Sequence, residues 1–263
     1  AVDGHGHGTF CAGIIGGKKV GVAPNVRLHA VKVIDGDEGK VGSLFVAFDE
    51  LLQRDLESIS TVFSLSLNFQ GDASTNDLWW IKEATGRGIT LVVAAGNKRK
   101  ETGWTMNMGR PIIVGAIDRS ESQWEDNNVG VNINIFAPGV DITSAWSGSD
   151  SEERIKSGTS AASAHVAGAA ALLLSEAKAK GLTYTPEKYS SPCVPCGVSR
   201  TLTFKGKMMG GRGRRLFVGK ESGWLDGWQK AVPPVQRTGT KKIRKSWLVD
   251  YAKSNRTWRL VLR

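Results

Sequence analysis

An α/β fold, a parallel sheet with helices on both faces, is predicted by three observations. Short β-branched runs alternate with longer segments of helical period, the runs are apolar on nearly every residue, and loop residues punctuate the changes. The first helical segment opens at His7, where flanking glycines allow close backbone approach and Thr9-Phe10-Cys11-Ala12-Gly13-Ile14-Ile15 continues as a buried stretch. A turn at Gly21-Val22-Ala23-Pro24 leads into Val26–Ile34, expected to be a strand buried on both faces toward its end, and a polar loop follows. Ser43 is expected to cap a helix whose Leu44, Phe45, Ala47, Phe48, Leu51 and Leu52 form one broad stripe. A strand over Ser60–Leu67, a helix from about Thr75 to Gly86 and a strand over Thr90–Asn97 complete a βαβαβ alternation. Such crossovers are right-handed and ligands sit beyond the carboxyl ends of the strands, which is where Asn97 lies.

Beyond the charged loop Lys98–Glu101, Pro111–Ala116 and Val131–Phe136 are expected strands. Ser157-Gly158-Thr159 then turns into an Ala-rich segment of strong helix formers running to Lys178. Thr185 and Pro186 mark the cap and first turn of one more helix.

The 263 residues carry a formal charge of +10 and 40% hydrophobic side chains, enough for one substantial core. The charge is unevenly spread. Residues 1–188 hold 18 Lys and Arg against 22 Asp and Glu, a balance of −4, whereas 189–263 hold 17 against 3, a balance of +14. Few apolar residues, frequent Gly and four unperiodic Trp make 189–263 a basic, low-order and irregular tail, so a boundary is set near 188. No apolar run reaches about 18 residues, so no segment has the length and character of a membrane-crossing helix.

Three residues far apart in the chain carry the chemistry. Ser160 stands at the start of the Ala-rich helix, where unpaired N–H groups and the helix dipole favour a developing negative charge. A serine nucleophile there needs a base and a second oxyanion donor. His7 is the candidate base and the Asn97 amide the candidate donor. The plainer readings are a small-residue helix for Ser160, a loop histidine or a His5–His7 metal pair for His7, and a turn former for Asn97. A catalytic zinc takes three protein ligands, and only His29 and His165 remain as further imidazoles.

His7-Gly8-Thr9, Ala94-Ala95-Gly96-Asn97 and Ser157-Gly158-Thr159-Ser160, in that order, resemble the subtilisin family of serine proteases (peptidase S8), nearest its proteinase K-like fungal branch. The resemblance covers 1–188 and implies a partial subtilisin-like catalytic domain; 189–263 is then non-homologous. It implies a serine endopeptidase working through an acyl-enzyme at Ser160, with His7 as base and then acid, and Asn97 holding the oxyanion. Ser66, Leu67 and Asn68 at one strand end and Ala94, Ala95 and Gly96 at the other would bind substrate, although Asn68 and Phe69 replace the family's usual Gly. Ala161 and Ala164 stand where the family has Met and Pro, and Cys11 resembles its free buried thiol.

The family's catalytic Asp lies about 30 residues before the His, and Asp3 is too close to match it. A missing N-terminal strand and Asp are therefore expected, leaving the chain as written poorly folded and slower by roughly 10⁴-fold. Asn134 replaces the family's calcium-binding Asp, which leaves room only for a weak calcium site; no other cofactor is implied. The resemblance further implies protein or peptide substrates, a propeptide inhibitor, a monomer and secretion. Two alternatives come from other classes: an inactive remnant that binds peptides, and nucleic-acid binding through the Arg, Lys and Trp of the tail. Cys193 and Cys196 have metal or redox spacing without a second pair, and Asn255-Arg256-Thr257 is a glycosylation triplet within the tail.

Overall fold

Four parallel strands form the centre of the molecule: β1 (Val62–Leu65), β2 (Thr90–Ala94), β3 (Ile112–Ile117) and β4 (Ile135–Pro138), hydrogen-bonded in that order. The structure is a computed structural model and describes residues 2–34, 41–53, 61–67, 79–102, 111–130, 132–179, 207–209 and 213–215. Every residue of β2 and β3 is buried, because helices cover both faces of the sheet. The alternation of side chains sorts them into two cores. Val92, Ile112, Val114, Ile135 and Ala137 point to α1 (His7–Gly16) and the long helix Thr159–Ala179. Leu91, Val93 and Ile113 point to α2 (Val41–Gln53) and α3 (Trp79–Gly86), where Phe48 lies 3.9 Å from the Trp80 ring. The expected α/β architecture is thus present.

Between β4 and the long helix lies an antiparallel hairpin, β5 (Ile142–Ala145) and β6 (Glu153–Lys156), so the helix Thr159–Ala179 is α4 in chain order. Its small residues let neighbours come close: a Cβ on Gly168 would stand 2.7 Å from Val22 Cβ. Ala161 and Ala164, which replace larger family residues, are fully covered. Past α4, β7 (Lys207–Met209) and β8 (Gly213–Arg215) form a hairpin, and β8 joins β4 in parallel with Arg215 opposite Phe136. The boundary near 188, the expected helix at Thr185 and Pro186, the Cys193–Cys196 pair and Asn255 lie outside the described residues.

Three expectations need correction. Val26–Ile34 forms no strand; it runs half-buried or exposed, with Val26 and Val33 touching the cores and His29 in solvent. β-branched side chains fit a half-buried extended path as well as a ladder, so their abundance does not by itself place a segment in a sheet. Ser43 lies inside the first turn of α2, whose assigned start is Val41, and so does not occupy the capping position. The fourth parallel strand begins at Ile135 and not at Val131, because Asn134 commits both its N–H and its Oδ1 to the Ile113 backbone, at 2.9 and 2.7 Å.

The turn into α1 is shaped by Gly6, which has φ +95° and would place a Cβ 2.2 Å from Trp146 Cε2. Gly6→Ala is therefore expected to cost about 2–4 kcal/mol, combining a left-handed alanine with an overpacked contact. Gly4→Ala, with nothing within 4 Å, is the control and should cost little. Equal urea midpoints for the two variants would show that the contact does not constrain the fold.

Candidate active site

The turn that presents His7 is held by Asp3. Its Oδ1 accepts the N–H groups of Gly6 (2.8 Å) and His5 (3.1 Å), and its Oδ2 accepts the Thr9 N–H (2.9 Å) and hydroxyl (2.8 Å). Partial burial works against ionisation, yet these four bonds outweigh it and hold the carboxyl down to about 2 from the usual 3.8. A carboxylate that satisfies the free donors of a first helical turn acts as a cap, so Asp3 sets where His7 stands through the backbone. His7 is the first residue of α1 and half-buried, with Nε2 3.9 Å from Cys11 Sγ.

Cys11 connects His7 to the end of β1. Burial pushes its thiol up to about 12; the neighbouring Ser66 side chain opposes this and the nearby Asp3 charge adds to it. It therefore stays protonated at neutral pH and is no nucleophile. Ser66 in turn faces Ser160. The Ser160 hydroxyl donates to the Ser66 carbonyl at 3.1 Å, and the Ser66 hydroxyl donates to the Ser160 carbonyl at 3.1 Å. His7, Cys11, Ser66 and Ser160 thus form one contiguous chain of contacts across α1, β1 and α4.

Asn97 arrives from the other side. Gly96, at φ +107°, turns the chain out of the sheet just past β2. Thr159, fully buried, then ties the strand end to the helix start: its Oγ1 accepts the Gly96 N–H at 3.0 Å and donates to Asn97 Oδ1 at 2.7 Å, while its N–H donates to the same Oδ1 at 3.0 Å. A backbone N–H only donates, so the amide atom facing Thr159 must be the oxygen and the NH₂ must face away from it. A Cβ built on Gly158 would lie 3.3 Å from Asn97 Nδ2 and 3.8 Å from Ser160 N. Both candidate oxyanion donors therefore border the same small space, kept open by the missing side chain of Gly158. Ser160 and Asn97 thus stand together beside Gly158, and His7 is linked to Ser160 through Cys11 and Ser66.

Residues 1–202 match the model of the subtilase family, Peptidase_S8. The chain belongs to the subtilase family. Relatives of this subtilase include subtilisin-like protease 2 of Pseudogymnoascus destructans, 39% identical over 174 residues that make up 65% of this chain and 43% of that protein. Proteinase T of Parengyodontium album is 36% identical over 178 residues, 65% of this chain and 59% of that protein. The chain thus spans less than half the length of the first of these curated relatives. The crystal structure of a cold adapted subtilisin-like serine proteinase superposes with a TM-score of 0.71 at 29% identity, covering 84% of this chain and 77% of that one. The fold of this subtilase is accordingly subtilisin-like, and the matched span runs past the expected boundary near 188.

Of the expected substrate-binding residues, Ser66 turns its hydroxyl and carbonyl toward α4, and Leu67 packs partly against the second core. Ala94, Ala95 and Gly96 are buried, and Gly96 already uses its N–H on Thr159 and its carbonyl on Asn128 N. Asn68 lies outside the described residues. Calcium finds a poor fit at Asn134, whose neutral amide oxygen is occupied by the Ile113 N–H. Among the described residues, no group of three or more His, Cys, Asp and Glu side chains is arranged to hold a metal ion. Thr159, which bonds both Gly96 and Asn97, is the residue that sequence reasoning passed over; its place between Gly158 and Ser160 was the available signal.

His165 of α4 is expected to make the fold less stable in acid. Its Nδ1 lies 2.9 Å from the Ala161 carbonyl. Burial lowers its pKa below 6.5, with the Ala161 and Pro138 carbonyls opposing. The unfolded chain thus takes up this proton first as pH falls, and stability present above 6.5 is lost as pH drops through the folded value. The Asp3 contribution fades separately, between its usual 3.8 and about 2. Urea midpoints are expected to fall between pH 7.5 and 5, and His165→Gln should flatten that decline; an unchanged slope would remove His165 as its source.

Proposed function

We propose that this subtilase domain is a serine-type endopeptidase that cleaves peptide bonds through an acyl-enzyme. Ser160 is the nucleophile, His7 takes its proton and returns it to the leaving amine, and the Asn97 NH₂ and Ser160 N–H receive the oxyanion. The observation that carries this reading is the pair of donors converging on the space beside Gly158, with the Asn97 amide locked by Thr159. Substrates are proteins or peptides, as the names of the relatives indicate for those proteins, among them a cuticle-degrading serine protease of Arthrobotrys oligospora. An extracellular serine proteinase of Thermus sp. among the relatives supports secretion, and among the described residues no helix is long and apolar enough to cross a membrane.

Asp3 commits its carboxylate to the first turn of α1, which supports the view that it is not the third catalytic group. These 263 residues assayed by themselves are thus expected to hydrolyse amides slowly while keeping a nucleophile that an activated phosphonate can trap. Labelling with a fluorophosphonate followed by peptide mapping tests the reading: a covalent adduct on Ser160 supports it. A chain that is folded yet takes up no label would instead point to a remnant that only binds peptides.

A further inference from the structure

Outside the reacting groups, a row of aromatic and cationic side chains runs from His7 through buried Trp146 to the exposed β6. The His5 ring lies 6.3 Å from that of His7 and 6.1 Å from that of Trp146. Trp146 is 8% exposed and sits against Gly6, the residue that starts the His7 helix. On its indole rest Lys156, with Nζ 5.2 Å from the ring centre, and Arg154, with Cζ at 4.6 Å. Cations over an indole are held in place by the ring's quadrupole, so these two charges have a defined seat and do not sweep freely through solvent.

The local carboxylates leave one of these charges uncommitted. Glu152 pairs with Arg154 at 2.8 Å and Glu153 pairs with Lys19 at 2.7 Å, so both acids of the hairpin are engaged. Asp141 accepts from the Ser157 hydroxyl at 3.4 Å, and Asp150 lies in the exposed hairpin turn. Among the described residues no carboxylate forms an ion pair with Lys156, which precedes Ser160 by only four positions.

We propose that Lys156, seated on Trp146 at the histidine end of the cleft, selects an acidic side chain on the leaving-group half of the substrate. The inference rests on the endopeptidase reading given above. Its direction follows from general chemistry: His7 must hand a proton to the departing amine, so the departing segment passes on the His7 side, toward His5 and Trp146. A peptide carrying Asp or Glu just after the scissile bond brings a carboxylate to Lys156, which has no ion-pair partner among the described residues. A peptide carrying Lys or Arg meets like charge.

Two internally quenched peptides that differ only in the two residues after the cut, Glu-Glu or Lys-Lys, test this on the full chain. The Glu peptide is expected to be cleaved faster, and Lys156→Glu should shift the ratio of kcat/KM by roughly tenfold toward the Lys peptide, with the shift shrinking as salt is raised. Lys82→Glu, an equal charge change on the exposed face of α3, should leave the ratio alone. A ratio that Lys156→Glu does not move, or that Lys82→Glu moves as far, overturns the assignment. If neither peptide is cut, the endopeptidase reading falls on its own, and selectivity is read from fluorescence anisotropy of the same peptides bound to the Ser160→Ala chain. Tighter binding of the Glu peptide that disappears with Lys156→Glu upholds the charge preference, and equal affinities overturn it.

Discussion

Ser160→Ala is expected to abolish fluorophosphonate labelling and to lower any amide hydrolysis by roughly 10⁶-fold, a figure borrowed from subtilisin itself and not deduced from the geometry. Its hydroxyl is part-exposed, whereas the neighbouring hydroxyls of Ser66 and Thr159 are buried and hydrogen-bonded. Cys11, the other chemically soft group nearby, is buried and held protonated. Alanine is small and helix-favouring, and residues 161 and 162 are alanine already, so α4 should form as before. The substitution removes the hydrogen bond to the Ser66 carbonyl and leaves the apolar packing of both cores as it was. Far-ultraviolet circular dichroism and the urea midpoint should therefore stay close to those of the parent. Persistent labelling in the variant, mapped to another residue, would show that the nucleophile has been misplaced.

Asn97→Leu is expected to reduce kcat by about 10²–10³-fold with little change in KM, again the size of effect known for the equivalent donor in subtilisin. An oxyanion exists only after attack has begun, so its donor contributes to the transition state and hardly to ground-state binding. Thr159→Val provides the finer measurement. It removes the hydroxyl that donates to Asn97 Oδ1 and accepts from Gly96 N, but leaves the Thr159 N–H in place to hold the amide oxygen. A loss of roughly tenfold in kcat is expected from the looser amide, together with a stability cost of about 1–3 kcal/mol because the Gly96 N–H is left buried without its acceptor. Because the two substitutions act on one group, their effects should fall short of additive when combined. Full additivity would mean that Thr159 does not position Asn97.

The candidate site residues stand out in the sequence because each lies near a junction whose local rules show in the text. His7 opens α1, Ser160 lies in the first turn of α4, and Asn97 stands three residues past the end of β2. The parallel sheet was legible for a related reason, since β2 and β3 are buried on both faces and apolar throughout. The β5–β6 hairpin was not. β6 reads Glu-Arg-Ile-Lys with all four residues exposed, so no apolar alternation marks it, and its sole apolar side chain, Ile155, is 64% exposed. Its partnership with β5 is a matter of long-range pairing that composition does not encode. The late start of β4 was hidden for the opposite reason: Asn134 imitates a strand partner with its side chain, while the alternation of apolar and polar residues from Val131 looks like a ladder. Thr159 escaped attention because a buried threonine acquires its role only when both of its hydroxyl's partners are brought to it by the fold.

Arg215 standing in register with Phe136 has a practical bearing on where the polypeptide can be shortened. A protein chemist guided by charge alone would trim away everything after 188 as ballast. Doing so would strip the outer neighbour from the fourth parallel strand and lay bare a line of amides and carbonyls ready to zip onto another molecule. Preparations meant to stay monodisperse are better ended downstream of 215.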